Sequence, residues 1–401
     1  MKKTLYISLF LLVTQIAFSQ NNSAEHTILI TTAKIEMKNY DEAIQIISNA
    51  IAKNHNYKLY LKRAEAYRYI SQNKKAIEDL ERANLLKKAC ADFLLAINYA
   101  KIKDSKKSIV FLKKYLKKRD KLSETEIKLT PEFKNIENTS EWKQLWKGKF
   151  YSKHDIKLSE AKYAIKQEDF IKAYDLLFDL IKKSNIKHKA YELRGDLFII
   201  EKEYKNAIKD YSQALKLKKN NLKYLQKRGE AYFYAKKYKK ALKDFDKYLN
   251  KETNPKVIYK KAQTEFKLKN YNKSIENFNL FLNFYPQDIN ALYQLAKAFY
   301  QNGEYLSALE NINICIEKDK SIPAYYNLRA EIYFATKLYK LATNDFSMSL
   351  DLNPNSGEIY YKKGNSEYKA GNFKTACTNW EKALMLKYYK ATDMLEKYCE
   401  K

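Results

Sequence analysis

Arg194, Gly195 and Asp196 stand together in YELRGDLF, residues 191–198. On an extended, exposed loop this tripeptide is an adhesion signal. On a helix its three side chains leave in different directions and cannot be presented together. A second pattern bears on which setting applies. Asp210 follows Arg194 by sixteen residues, and the same interval joins Arg63 to Asp79, Arg228 to Asp244 and Arg329 to Asp345. Where the basic position holds Lys261, Leu295 or Lys363, the later position holds Asn277, Asn311 or Asn379. The chain thus carries its own mutation series, in which Arg keeps company only with Asp. A guanidinium fork matches a carboxylate, so the interval predicts Arg–Asp bridges between two antiparallel helices. Losing one partner of a well-buried pair costs roughly 3–5 kcal/mol, and less where water reaches it. On this reading Arg194 is a strut, Gly195 is a close-approach residue, and only Asp196 is left to face a partner. The adhesion reading fails, and the four paired Arg drop out of any nucleic-acid argument.

The other reactive residue types form no catalytic set. His26, His55, His154 and His188 never stand four apart. There is no Gly-rich phosphate loop and no metal-spaced Cys cluster. Asp244 and Asp246 read as helical surface positions. The expectation is a non-enzyme with no cofactor and no metal. Cys90 and Cys315 are isolated and read as small apolar packing groups. Cys377 and Cys399 each lie eleven residues from Tyr388, where two antiparallel helices would turn. They can face each other, and an exported protein meets oxidising conditions. A disulfide pinning the C-terminal end is expected.

A repeat positions these residues. ELRGDLFIIEKEYKNAIKDYSQAL (192–215), QKRGEAYFYAKKYKKALKDFDKYL (226–249) and NLRAEIYFATKLYKLATNDFSMSL (327–350) share one pattern of small and aromatic residues. It returns every 32–34 residues. Seven Gly and five Pro are too few for a turn-rich β fold, so the pattern points to helices. Its period and spacing resemble the tetratricopeptide repeat, a helix–turn–helix unit of 34 residues. Numbered from 1, that family places small residues at positions 8, 20 and 27, with aromatics near 4, 11, 17 and 24.

Units fall at 24–56, 57–88, 89–120, 154–187, 188–221, 222–254, 255–288, 289–322, 323–356 and 357–390. Position 8 is Ala64, Ala96, Ala161, Gly195, Gly229, Ala262, Ala296, Ala330 and Gly364. Gly303 and Gly371 fall in the turn between helices. Glu265 and Glu367 depart from the aromatic expected at position 11, and Thr31 makes the first unit the weakest.

The resemblance implies an all-α, right-handed superhelical solenoid of about ten units in two blocks, 20–120 and 154–390. Residues 121–153 break the period and read as an insert, with a helix starting at Ser140. Trp142 and Trp146 share one face of that helix, for packing against adjoining repeats or for a partner. Residues 391–401 read as a capping helix.

The resemblance also implies that positions 2, 5, 9 and 12 of each first helix line a concave groove where peptides or helices bind. The candidates are Glu192, Asp196, Gln226, Glu230, Phe233, Tyr259, Gln263, Phe266, Tyr293, Lys297, Tyr300, Asn327, Glu331, Phe334, Tyr361, Asn365 and Tyr368. Rings interleaved with hydrogen-bonding groups make good protein-recognition surfaces. Phe233, Phe266 and Phe334 read equally well as packing between neighbouring units. Tyr259, Tyr293, Tyr300, Tyr361 and Tyr368 are expected to be better exposed. One family variant grips a C-terminal carboxylate with Lys at position 5 and Asn at position 9; here position 5 has no Lys, so that clamp is absent.

The formal charge is +29, yet only seven of the 76 basic residues are Arg. The Lys excess reads as a solvated face or as an electrostatic surface. MKKTLYISLFLLVTQIAFSQ has a basic start, a short apolar run and small residues before Gln20. It reads as a signal peptide, 1–19, of a soluble, periplasmic or secreted protein. No later stretch is apolar enough to span a bilayer. The preferred expectation is a non-catalytic scaffold or adaptor of the cell envelope. It would take a peptide or helix of an envelope or outer-membrane protein in the groove, and no nucleic acid. The alternative is an electrostatic binder of anionic glycan, lipid headgroup or nucleic acid.

Overall fold

A computed structural model describes residues 24–118 and 120–399. The expected signal peptide lies outside them. Every regular element among the described residues is helical, and the chain is all-α. It divides into two compact units, one reaching Tyr224 and the other starting at Leu225. In the first, Lys187–Ile200 pairs with Tyr204–Leu217. In the second, Pro255–Lys267 pairs with Tyr271–Leu282, Ile289–Gln301 with Tyr305–Lys318, Pro323–Ala335 with Tyr339–Leu352, and Gly357–Lys369 with Phe373–Met385.

Small residues decide how close each pair comes. A Cβ added at Gly195 would lie 2.6 Å from the Tyr211 ring, and one at Gly229 2.6 Å from Phe245. At Gly364 it would lie 2.5 Å from Trp380 Nε1. The aromatic at position 24 therefore rests on the backbone of position 8. Thr31, the departure in the first unit, is fully buried, and its hydroxyl donates to the Thr27 carbonyl. Ser108 and Ser274 replace Ala at position 20. Their hydroxyls donate to the carbonyls of Ala96 at 2.8 Å and Ala262 at 2.9 Å, each the position-8 residue of the same unit.

The turn between paired helices places one residue in the left-handed region every time. Gly303 and Gly371 suit it, with φ of 82° and 88°. Lys38, Lys103, Lys202, Lys236, Lys269 and Lys337 take the same position at φ between 57° and 63°, at a cost that Gly would not incur. The two position-11 departures also find a place at this turn. Glu265 and Glu367 are buried, and each accepts from an Asn five residues on, Asn270 at 2.6 Å and Asn372 at 2.7 Å.

Arg and Asp at the sixteen-residue interval meet in a bidentate pair. Arg194 Nε and Nη2 lie 2.7 and 2.9 Å from the Asp210 oxygens, and both Arg228 contacts to Asp244 are 2.7 Å. Arg63–Asp79 and Arg329–Asp345 share the geometry. The free Nη1 of Arg63 donates to Ser48 and that of Arg329 to Asn313, both on the preceding unit. Without an Asp sixteen residues on, Lys261 turns instead to Asp246 of the preceding unit at 2.8 Å. Asn277, Asn311 and Asn379 fold back onto carbonyls four residues earlier in their own helices.

The insert helix is Ser140–Leu145, and its cap is Thr139, whose hydroxyl accepts from Trp142 N; Ser140 is already inside. The insert packs Phe133, Ile136, Trp142 and Leu145 against Leu112 and Leu116, with Trp146 partly buried on the same cluster. At the other end, Cys377 and Cys399 are joined by a disulfide. The terminal helix Thr392–Tyr398 sets Tyr398 against Tyr368, with ring centroids 4.4 Å apart.

Two measurements test these contacts. Asp244→Asn should cost about 3 kcal/mol by leaving Arg228 half-buried without its acid. Arg228→Lys/Asp244→Asn, the combination found at 261 and 277, should cost less than the sum of the singles. Urea unfolding of all four proteins gives the coupling, and additive singles would remove the strut. Cys377→Ser should lower the opening free energy of the terminal helix by roughly 3 kcal/mol for a loop of this length. Faster amide exchange confined to residues 389–399 is the expected readout.

Candidate partner-binding face

All seventeen candidate groove residues are half-buried; none is fully exposed and none fully sealed. Their contacts explain this. Five rings at position 12 or next to it each pack on the first aromatic of the following helix: Phe233 on Tyr238, Phe266 on Tyr271, Tyr300 on Tyr305, Phe334 on Tyr339 and Tyr368 on Phe373. Tyr259 packs on Phe278 and Phe281, Tyr293 on Tyr325, and Tyr361 on Tyr388. The expected distinction between exposed Tyr and packed Phe does not appear, because both types pair with a ring of their own fold. Burial comes first in holding the phenols of Tyr259, Tyr293 and Tyr300 above their ordinary pKa.

The polar candidates differ in how far they are already engaged. In the first unit, Glu192 meets Lys223 at 2.7 Å. Asp196 accepts from the Tyr211 hydroxyl at 2.7 Å, so it is not left to face a partner. The cause is the close approach at Gly195, which brings Tyr211 beside it. In the second unit, Gln226 donates to Glu230 on the same helix at 3.0 Å. Asn365 accepts from Trp380 Nε1 at 3.0 Å. Gln263 and Asn327 each keep a buried amide oxygen with no hydrogen-bond partner. Lys297 lies over the rings of Phe266 and Tyr293, its Nζ 5.8 and 5.6 Å from their centroids.

Part of the second unit opens into a cleft of about 360 Å³. Tyr300, Gln301, Glu331, Phe334, Phe346, Tyr361, Lys362 and Asn365 line it. Lys362 Nζ sits 2.7 Å from Glu331 and 2.6 Å from Glu358. Burial works against that ammonium, but the two carboxylates outweigh it and raise its pKa. Neither Lys362 nor Gln301 was among the sequence candidates, since they stand at positions 6 and 13. The four-residue interval from Glu358 to Lys362 was the available signal.

A larger cleft of about 770 Å³ lies in the first unit, with Lys58, Leu61, Glu65 and Arg68 in its wall. These are positions 2, 5, 9 and 12 of unit 57–88, whereas the sequence candidates all belong to the second block. Most of its charges are matched internally, Lys58 with Glu25, Lys62 with Glu65, and Arg68 with Glu132 of the insert, while Lys101 donates to the Arg68 carbonyl. No cluster of metal-ligating groups occurs among the described residues, and no described helix is long and apolar enough to cross a membrane. The second-unit face offers ring edges, amide groups and fixed charges.

Residues 188–221 and 293–356 each match a family model described as tetratricopeptide repeat. No curated protein matches the chain. Among solved structures, a tetratricopeptide repeat protein from Parabacteroides merdae is 17% identical over 62% of this chain and 99% of its own, with a TM-score of 0.48. The C-terminal part of a repeat protein from Cytophaga hutchinsonii is 18% identical over 48% of this chain and 78% of its own, at 0.43. The Cut9–Hcn1 hetero-tetramer of APC/C is 13% identical over 95% of this chain and 84% of that one, at 0.46.

The two kinds of face residue should separate in stability. Phe266→Ala should cost about 2 kcal/mol, because half its ring is packed on Tyr271. Asn327→Leu should leave the melting temperature unchanged or raise it, since it removes a buried acceptor that nothing satisfies. A large loss from Asn327→Leu in thermal melts would show that this amide is structural.

Proposed function

Because the chain is a tetratricopeptide-repeat protein, we propose that it is a non-catalytic scaffold that binds a segment of another protein. The first-helix face of the unit from Leu225 onward is the binding surface. One observation carries the reading: successive helices present rings held half-buried by their own fold, around a cleft of about 360 Å³. A ring packed on one side needs little further ordering when a partner covers the other, so binding there loses little entropy. Tyr and Phe held this way are typical binding hot spots. The amino-terminal signature and the Cys377–Cys399 disulfide support export, and hence a partner in the cell envelope.

The charge of +29 favours a second reading, binding of a polyanion by the Lys-rich surface. Photocrosslinking separates the two. A benzoylphenylalanine placed at 300 or 361 should crosslink a protein from envelope extract, while one at exposed Lys239 or Leu306 should not. Crosslinks only at 239 and 306 would remove the face from consideration. Capture by the face should also persist when salt is raised from low to moderate, whereas polyanion binding falls steeply.

A further inference from the structure

We propose that helix Lys153–Lys166 carries an open inter-repeat face that takes an amphipathic helix of a partner protein, one with a Lys or Arg among its apolar residues. This surface lies in the first compact unit and uses none of the residues of the face proposed above.

Positions 3 and 10 of each first helix are where consecutive units meet. In the eight other units from 57–88 onward both are buried, none more than 8% exposed. Tyr325 and Ile332, for example, pack with Ile312 and Ile316 of the preceding second helix, Tyr305–Lys318. Unit 154–187 departs from this. Its position 3 is Ile156 and its position 10 is Tyr163, 51% and 60% exposed. The insert is the cause. Its Phe133, Trp142 and Leu145 take up the apolar face of the preceding second helix, Ser105–Leu116. The helices packed along Lys153–Lys166 are Phe170–Lys183 and Lys187–Ile200, both later in the chain. On its earlier side a cleft of about 570 Å³ remains, with Leu129, Ile156 and Tyr163 in its wall. Leu129 is exposed as well. Apolar side chains grouped in this way and rimmed by polar ones mark an interaction site.

The regular joints define the occupant. There a helix covers the face, and its position 25 meets position 7 of the next unit. Arg63 donates to Ser48, Arg329 donates to Asn313, and Lys261 pairs with Asp246. Position 7 of unit 154–187 is Glu160, the one acid among the ten residues at that position. Glu160 is exposed and forms no ion pair among the described residues. The occupant is therefore a helix with two apolar residues one turn apart, as Ile312 and Ile316 are, and a Lys or Arg in the place of Asn313. Glu160 stands midway between Ile156 and Tyr163, so two copies docked through this face would bring like charges together across their two-fold axis. An anionic lipid surface would meet the same acid.

The probe is the chain's own helix Tyr305–Lys318, which covers such a face, made as a fluorescein-labelled peptide with Asn313→Lys and Cys315→Ala. A hydrocarbon staple between the exposed positions of Leu306 and Glu310 holds it helical. Fluorescence polarisation with the full chain should show saturable binding, and a second peptide with Asn313→Glu should bind roughly fivefold more weakly. Glu160→Lys should reverse that order. Ile156→Ser/Tyr163→Ser should weaken binding roughly tenfold or more. Ile171→Ser, exposed elsewhere on the same repeat, should stay within about twofold. Circular dichroism melts should match the wild type in each variant, because all these side chains are exposed. The helix site is overturned if the stapled peptide does not saturate, or if Ile156→Ser/Tyr163→Ser binds it as the wild type does. An order of the two peptides that Glu160→Lys leaves unchanged overturns the basic partner. A wild-type dimer in sedimentation that Ile156→Ser/Tyr163→Ser converts to monomer gives the face to a second copy and overturns the partner helix.

Discussion

One contact governs the architecture: an aromatic ring of the second helix packed directly against the backbone of the first. Tyr211 over Gly195, Phe245 over Gly229 and Trp380 over Gly364 leave no room for even one carbon. A ring cannot bend away as a Lys or Met side chain can, so the spacing of each pair is set by hard contact rather than by preference. Helices brought this near must satisfy each other's polar groups. Ser108 and Ser274 do so directly, donating to the carbonyl of the small residue they face.

The Arg–Asp pairs follow from that spacing. A bidentate bond demands fixed geometry, and two helices locked at short range provide it. The same guanidinium then reaches backward, Arg63 to Ser48 and Arg329 to Asn313, so one side chain ties its own pair to the one before. Lys261 keeps only the backward half of this arrangement, through Asp246. Within Arg194-Gly195-Asp196, all three residues serve the fold. Arg194 holds Asp210, Gly195 lies under Tyr211, and the hydroxyl of that same ring holds Asp196.

The recognition surface is a by-product of the same packing. Rings that brace the turn between helices keep one side toward solvent, and they are rigid because the other side is used. Most polar groups among them are matched internally. The amide oxygens of Gln263 and Asn327 are exceptions, buried without a hydrogen-bond partner at a cost to the fold. Elsewhere most Lys side chains are exposed, where water already meets their needs.

Periodicity, the small residues and the co-occurrence of Arg with Asp are visible in the amino-acid order because each depends on residues at a constant interval. That is enough for an all-α chain of paired helices. Contacts that skip the interval are not visible in that order. The hydroxyl of Tyr211 on Asp196, the reach of Arg63 to Ser48 and the Asn270 and Asn372 amides on buried Glu265 and Glu367 all required coordinates. So did the cleft holding Lys362, and the finding that Tyr and Phe on the face are buried alike. Local sequence sets which side of a helix a residue occupies. How much of that side is covered, and whether a charge there meets its opposite, depends on helices distant in the chain, and only tertiary packing decides it.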